Sequence, residues 1–153
     1  MLQYAQADAI FTGFEAKASL QVLAWESGNL AVNAMFDTIV AELDIAGNDN
    51  PPRLPPARFG AGFSGSAGIL DFSLDYLVAA EQSDNATFEL ETEEYDDLRA
   101  YLGTTLDLSD AEVTLFLQGR NLTDDEQRKH TSFIKDLAPA PGRTVEVGVR
   151  AYF

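Results

Sequence analysis

The sequence predicts an all-β, antiparallel fold in which about seven strands form part of a transmembrane β-barrel. Two observations predict it: apolar and polar residues alternate along seven separate segments, and the connections between segments alternate between short turns and long polar loops. The composition agrees, because 46% of the residues are apolar, yet no apolar run approaches the ~18 residues of a spanning helix. Strands of about 9–11 residues are then the only elements that can cross a bilayer.

Residues 143–153 show the alternation most clearly. Successive residues of a strand point to opposite faces, so residues two apart share a face. One face carries Val145, Val147, Val149, Ala151 and Phe153. The other carries Thr144, Glu146, Gly148, Arg150 and Tyr152. The first face is therefore apolar throughout, and the second is polar except for the terminal tyrosine.

Six earlier segments show the same pattern. Their apolar positions are Phe14, Ala16, Ala18, Leu20 and Val22; Leu30, Val32, Ala34, Phe36 and Val40; Phe59, Ala61 and Phe63; Leu70, Phe72, Leu74, Tyr76 and Val78; Leu98, Ala100, Leu102 and Leu106; and Val113, Leu115 and Leu117. No segment shows a helical period of comparable strength. The pattern therefore predicts antiparallel strands without helices.

The connections between these segments alternate in length. Residues 25–28, 66–68 and 108–112 form tight turns, whereas residues 42–56, 81–97 and 121–142 form long polar loops. Loops of this length are uncommon in compact soluble domains. Outer-membrane barrels have short periplasmic turns and long extracellular loops, so with a periplasmic C-terminus every connection falls on its expected side.

A soluble β-sandwich or lipocalin-like barrel is the alternative that the alternation leaves open. In that fold a protein interior, and not lipid, covers the apolar face. Alternation alone does not distinguish the two coverings. A soluble β-domain of this kind would bind a small apolar ligand.

Charge and composition exclude several classes of function. The formal net charge of −15 repels phosphate, so we expect no nucleic-acid partner. The sequence has no cysteine, which excludes disulfides and thiolate chemistry. Neither a G-x-S-x-G elbow nor a phosphate-binding P-loop occurs, so we expect neither enzymatic activity nor a bound cofactor.

Two motifs border the last long loop. The first is Gly119-Arg120-Asn121-Leu122. The second contains His130, Thr131, Ser132, Phe133, Lys135, Asp136, Pro139, Pro141, Gly142 and Arg143. Together with the final Tyr152-Phe153, these motifs resemble the end of TonB-dependent outer-membrane receptors, and the second is most similar to the branch that includes zinc and iron-complex receptors. Thr12-Gly13-Phe14-Glu15 and the proline-rich residues 51–56 resemble the family more weakly.

The resemblance implies that residues 1–153 are the C-terminal part of a barrel of about 22 strands with a plugged lumen. Such receptors import a metal ion or metal complex, such as a siderophore-like compound, haem or zinc, through the outer membrane of a Gram-negative bacterium. The expected partners are outer-membrane lipid and lipopolysaccharide, the plug domain, a TonB-type energising partner and the metal complex. No secretory leader opens the sequence, so we expect a truncated chain.

The last residues of the chain resemble the signal that barrel-assembly machinery recognises. They are Phe153 with Tyr152, Ala151, Val149 and Val147. A terminal aromatic residue in the interfacial girdle of a barrel is the simpler explanation, and the two can hold together.

A small self-contained outer-membrane barrel, acting as an anchor or adhesion scaffold, is the alternative function. Bacterial barrels have even strand numbers, and an eighth strand would arise if residues 2–23 were divided at Thr12-Gly13. Alternation before Phe11 is poor, which favours a piece of a larger barrel.

His130 is the only histidine, and it follows Asp124, Asp125 and Glu126 in the last long loop. An imidazole and carboxylates together can bind a divalent metal. The alternative is a hydrogen bond from His130 that fixes the shape of the loop. Its position inside the motif favours this structural role.

Charged residues form two further groups. Six carboxylates of the middle loop, which could attract cations or bridge to lipopolysaccharide through divalent ions, are Glu89, Glu91, Glu93, Glu94, Asp96 and Asp97. A solvated loop is the more common explanation of such a run. The polar faces of the strands carry both signs, at Glu15, Lys17, Asp37, Asp71, Asp75, Arg99, Arg120, Glu146 and Arg150. This mixture predicts pairs between neighbouring strands, such as Arg120 with Glu146.

Overall fold

The computed structural model describes residues 7–45, 47 and 49–153. The strands are β1 (Ala9–Trp25), β2 (Gly28–Leu43), β3 (Arg58–Ala67), β4 (Leu70–Ala79), β5 (Tyr95–Leu108), β6 (Ala111–Arg120) and β7 (Thr144–Tyr152). The all-β prediction and the count of seven strands are confirmed for these residues. No helix in the described ranges is long and apolar enough to cross a membrane.

The seven strands form one antiparallel sheet in the order of the sequence. Since successive strands run in opposite directions, all three long loops lie at one end of the sheet and all three short turns at the other. Within the described residues β1 and β7 are the two edges, so the sheet is open and not a closed barrel. The antiparallel part of the prediction is confirmed.

The first strand is longer than predicted and is not divided. β1 runs for 17 residues through Thr12 and Gly13, and Gly13 pairs with Ile39 of β2. The eighth strand that a break at this point would have supplied is therefore absent from the described residues, of which residues 1–6 are not part. β5 also begins earlier than predicted, at Tyr95, which shortens the middle loop.

The strand register aligns the apolar faces that the sequence predicts. Phe36 lies opposite Phe59, and Leu102 lies opposite Leu117. The remaining pairings keep the same side, so the predicted apolar residues of all seven strands, apart from Val22, share one face of the sheet. Because a slip of one residue would exchange the two faces, this agreement across every pair is a strong constraint on the fold.

The predicted alternation is interrupted at one position, Val22. The pairing of β1 with β2 shifts between Gln21 and Leu23, and Leu23 then lies opposite Leu30. Val22 is the extra residue of this irregularity. Counting in steps of two fails there because a bulge adds a residue to one strand only.

The sheet has no hydrophobic core of its own in the described part of the chain. Among the described residues the buried hydrophobic ones are Ala41 and Ala79 in the strands and Leu54 and Ala86 in the long loops. On the apolar face, by contrast, Phe14 is 60% exposed and Val147 is 82% exposed. An apolar surface that extends over seven strands far exceeds the few hundred Å² that soluble monomers expose.

Aromatic residues lie near both ends of the apolar face. At the loop end, the rings of Phe14, Phe36 and Phe59 form a row across three strands, with centroid separations of 6.1 and 4.8 Å. At the turn end lies Trp25, the only tryptophan. From Phe14 to Trp25 the strand covers roughly 36 Å at about 3.3 Å per residue. A tilt of about 40° reduces this to about 28 Å along the normal of a barrel wall.

Gly65 provides a test of the register. A Cβ atom at this position would overlap the backbone carbonyl of Asn29 in the neighbouring strand. We expect Gly65→Val to lower the free energy of unfolding by about 1–3 kcal/mol, because overpacking forces the backbones apart. A urea titration followed by circular dichroism in micelles measures this.

Ala67→Val is the matched control, since Ala67 lies on the same face at the exposed end of the same strand. We expect it to change the free energy of unfolding by less than about 0.5 kcal/mol. Equal effects of the two substitutions would contradict the pairing of β2 with β3.

Candidate functional site

The three long connections meet at one end of the sheet. We call the described residues of 44–57, 80–94 and 121–143 the loop cap. Side-chain hydrogen bonds join its parts: Gln82 donates to the carbonyl of Leu54, and the Thr92 hydroxyl lies 3.0 Å from Nδ1 of His130. The buried polar residues of the cap are Gln82, Thr92, Asn121, Gln127, His130 and Lys135. Polar side chains therefore form the interior of the cap, where each requires a hydrogen-bond partner.

A buried ion pair lies at the centre of the loop cap. The Nζ atom of Lys135 is 3.1 Å from Oε1 of Glu89, and it also donates to the carbonyl of Leu90 at 2.6 Å. Nε2 of His130 lies 3.3 Å from the same Oε1 atom. Lys135 and His130 come from the last loop and Glu89 from the middle loop, so this group fastens two loops together. Removing one partner would leave a buried charge unpaired, which is strongly destabilising.

The surroundings shift the pKa of two members of this group. Burial opposes ionisation of Glu89, but hydrogen bonds from the Arg53 amide and from Lys135 outweigh it and lower the pKa of the carboxyl below 4.5. Burial and the charge of Lys135 lower the pKa of His130 below 6.5, against the attraction of Glu89. His130 is therefore neutral at pH 7. Because the Glu89 carboxylate only accepts and lies 3.3 Å from Nε2, we infer that the neutral ring carries its proton on Nε2. Nδ1 then accepts, with the Thr92 hydroxyl at 3.0 Å and Lys135 Nζ at 3.1 Å.

Glu89 also holds the first long loop. Its two carboxylate oxygens accept from the backbone N–H of Arg53 at 3.0 and 3.1 Å. The guanidinium of Arg53 then stacks on Phe133, with Cζ 3.7 Å from the ring centroid. One carboxylate thus connects all three loops, although a solvated position was the more common explanation for a member of an acidic run.

The motif residues at the start of the last loop contact one another. Asn121 is buried, and its side-chain amide donates to the carbonyls of Asp125 and Pro141. The side-chain carbonyl oxygen of Asn121 accepts a hydrogen bond from the backbone N–H of Asp125. Asp124 accepts from the backbone N–H of Arg143. The two motifs are therefore distant in sequence but form one hydrogen-bonded turn.

The other motif residues and the C-terminal residues are exposed to different degrees. Thr131, Phe133, Asp136 and Pro139 are exposed on the cap, and Ser132 is half-buried. Val147, Val149 and Ala151 lie on the apolar face of β7, whereas Tyr152 pairs with Glu112 on the polar face. Phe153 follows the strand and is fully exposed.

The four residues of the predicted metal site have other partners. His130 is buried beside Glu89 and Lys135, Asp125 accepts from the Asp96 amide, and Glu126 lies 2.7 Å from Arg128. Asp124 faces Arg143. In the part of the chain that the structure describes, no three His, Asp or Glu side chains are close enough together to hold a metal ion. Metal binding by these residues stays a prediction.

The six carboxylates of the middle loop do not behave as one cluster. Glu89 belongs to the buried ion pair, and Asp96 and Asp97 lie inside β5. Glu91, Glu93 and Glu94 are exposed. Only these last three have the solvated position that is usual for such a run.

The polar face of the sheet forms a groove of about 540 Å³. Residues from β1 to β5 line it, among them Lys17, Asn33, Gly60, Gly62, Asp75 and Arg99. Charges pair across neighbouring strands on this face, as Arg58 does with Asp37 at 2.9 Å. The predicted pair is also present, since Arg120 lies 3.7 Å from Glu146. Both members of that pair are about half exposed, so its contribution to stability is small.

No protein-family model matches the chain, and no curated protein matches it. The resemblance to TonB-dependent receptors therefore depends on the motif residues themselves.

Because His130 is the only histidine of the sequence, its ring signals can be assigned directly by NMR. We expect a titration below pH 6.5, with the proton on Nε2 of the neutral ring. Lys135→Met should raise the pKa, since a neighbouring positive charge is removed, and Glu89→Gln should lower it further. A ring that titrates at or above 6.5 in the wild type would rule out the buried arrangement.

The same shifts predict that acid loosens the loop cap. The unfolded cap binds protons at His130 more readily than the folded cap, so the stability from this residue is complete above pH 6.5 and falls below it. Glu89 also stabilises the folded cap through its lowered pKa, and this contribution falls as the pH drops below about 4.5. Amide exchange at Thr92 and Lys135 measures the loosening, and exchange that does not change down to pH 4 would contradict it.

Proposed function

We propose that this chain is the C-terminal barrel portion of a TonB-dependent receptor in the outer membrane of a Gram-negative bacterium. The parent protein imports a metal ion or metal complex, with energy from an inner-membrane TonB-type partner. The observation that carries the proposal is the continuous apolar face of seven strands, which nothing in the described chain covers. In an outer-membrane barrel, lipid covers the apolar face of such an antiparallel sheet, and the polar face lines the lumen.

The dimensions of the apolar face support a membrane position. The aromatic residues at its two ends are about 28 Å apart along the normal of a tilted barrel wall, as derived above. The apolar band of an outer-membrane barrel is about 25 Å tall and is flanked by aromatic girdles. The part of the face between Phe14 and Trp25 therefore matches the height of that band, and Ile10 and Val40 extend the face beyond it at the loop end.

The opposite face supports the interior of a large barrel. It carries ion pairs and amide and hydroxyl contacts, such as Arg58 with Asp37 and Asn33 with Ser64. Groups of this kind suit a wet lumen in contact with a plug domain. The open edges at β1 and β7 are where the remaining strands of such a barrel would pair.

The loop cap supports the resemblance on which the receptor class depends. Asn121, Asp124 and Arg143 belong to separate parts of the motif and are joined by hydrogen bonds. His130 and Lys135 belong to the same motif and form its buried group with Glu89. The motif is thus a folding unit of the extracellular side, which explains how receptors with different ligands can share it.

Uptake measurements test the proposal. In the source bacterium, deletion of the gene should reduce uptake of radioactive iron or zinc complexes at least several-fold under metal limitation, and the intact gene should restore it. A gene with Val147→Asp should not restore uptake, because a charge on the apolar face of β7 hinders insertion. The matched variant Glu146→Gln, on the polar face of the same strand, should restore it.

Labelling of single cysteines on intact cells separates import from anchoring. These 153 residues contain no cysteine, so Thr131→Cys in the loop cap and Ser109→Cys in a short turn each add one site, and labelling of the unsubstituted protein is the background. We expect an impermeant maleimide to label only the first on intact cells. If only Thr131→Cys is labelled but deletion of the gene does not reduce metal uptake, the result would favour an anchor or adhesion scaffold over a receptor. Equal labelling of both sites would argue against the membrane topology.

A further inference from the structure

Two exposed aromatic side chains flank a pocket on the outer surface of the loop cap. Phe88 is fully exposed, and Phe133 is 88% exposed. The pocket between them has a volume of about 350 Å³, and residues of all three long loops line it. We call Phe88, Phe133 and this pocket the aromatic clasp. Large apolar side chains that stay in water beside a concave surface are typical of binding sites.

The backbone is strained on both sides of the aromatic clasp. Phe88 has a φ of 68° and Arg53 a φ of 61°, in the left-handed region that favours glycine. Phe88 is the third residue of a turn that the Glu89 amide closes on the carbonyl of Ala86. Glycine is the ordinary residue at that position. An aromatic residue there costs stability and gains no contact from burial, which indicates a role outside the fold.

The buried ion pair holds both strained residues in place. The Glu89 carboxylate accepts from the backbone N–H groups of Arg53 and Ala86, on either side of the pocket. Lys135 forms an ion pair with that carboxylate. Strained conformations persist where their surroundings determine them in this way. The clasp is therefore pre-formed, which reduces the entropy lost when a ligand binds.

Charge indicates what the clasp binds. The formal charges of the residues that line the pocket balance, since the lining includes two basic residues, Arg53 and Lys135, and two acidic ones, Glu89 and Asp136. The pocket therefore suits an uncharged apolar group. The middle loop, residues 80–94, adds five exposed carboxylates, Glu81, Asp84, Glu91, Glu93 and Glu94, and no basic residue, and the whole chain has a net charge of −15. A field of this kind attracts cations and repels anionic surfaces.

We propose that the aromatic clasp binds a cationic amphipathic peptide segment, which inserts an apolar side chain between Phe88 and Phe133. Lysine or arginine residues of the peptide meet exposed carboxylates such as Glu91 and Glu93. A second copy of this chain is the wrong partner, because two chains of charge −15 repel each other. This binding goes beyond metal import and does not depend on whether lipid covers the sheet.

Calorimetry with the full chain in zwitterionic micelles tests the proposal. The probe is an amphipathic peptide of alternating lysine and leucine, and its glutamate and leucine counterpart is the negative probe. We expect the wild-type chain to bind the first and not the second, with affinity that falls as salt rises. Phe88→Gly should weaken binding at least about tenfold, because an anchoring aromatic group is lost.

Phe88→Gly also keeps the test independent of folding. Glycine relieves the left-handed strain, so the variant should be at least as stable as the wild type. The matched control is Leu108→Ala, which removes an exposed apolar side chain at the opposite end of the sheet and should leave binding unchanged.

Three results would overturn the proposal. Equal binding of the lysine peptide to the wild type and to Phe88→Gly would reduce the interaction to general charge attraction. Binding of the glutamate peptide with similar affinity would remove the role of charge. Self-association of the wild type that Phe88→Gly abolishes would assign the clasp to contacts between copies.

Discussion

The register of the sheet is the constraint on which the rest of the structure depends. Six antiparallel pairings place the apolar residues of every strand on one side, and a shift of one residue in any pairing would break that surface. Nothing in the described chain covers it: Val147 and Phe14 remain exposed. The hydrophobic free energy that normally stabilises a domain is therefore not gained inside this chain, and it must come from an apolar environment around the sheet.

The sheet and the loop cap are stabilised by different interactions. The sheet buries almost nothing, while the loop cap buries charged and amide side chains and stabilises them with hydrogen bonds. Glu89 is central to this arrangement, because its carboxylate pairs with Lys135 and accepts from the amides of Arg53 and Ala86. The cap is thus ordered by polar contacts, which remain stable in contact with water. It can present Phe88 to solvent at a strained turn because that carboxylate fixes the turn.

Most of the sheet was predictable because period-two alternation is a local property of the sequence. The seven strands and their faces follow from it, and so does the pairing of Arg120 with Glu146. The bulge at Val22 was not predictable, since an inserted residue is visible only against a partner strand. The loop cap was largely missed, because Glu89 and Lys135 are 46 residues apart and no local pattern joins them. His130 was singled out, but its burial beside Glu89 was not predicted, because Glu89 belongs to a different loop.

Oxygen accessibility along β7 tests the central claim most directly. Spin labels on single cysteines at positions 145 to 151, with the chain in lipid vesicles, report exposure to dissolved oxygen, which concentrates in hydrocarbon, and to a water-soluble nickel complex. If lipid covers the apolar face, oxygen exposure rises at Val145, Val147 and Val149 and falls at the residues between them, with the nickel signal in antiphase. A chain that stays compact and monomeric in water, with no two-residue oscillation in vesicles, would contradict the account.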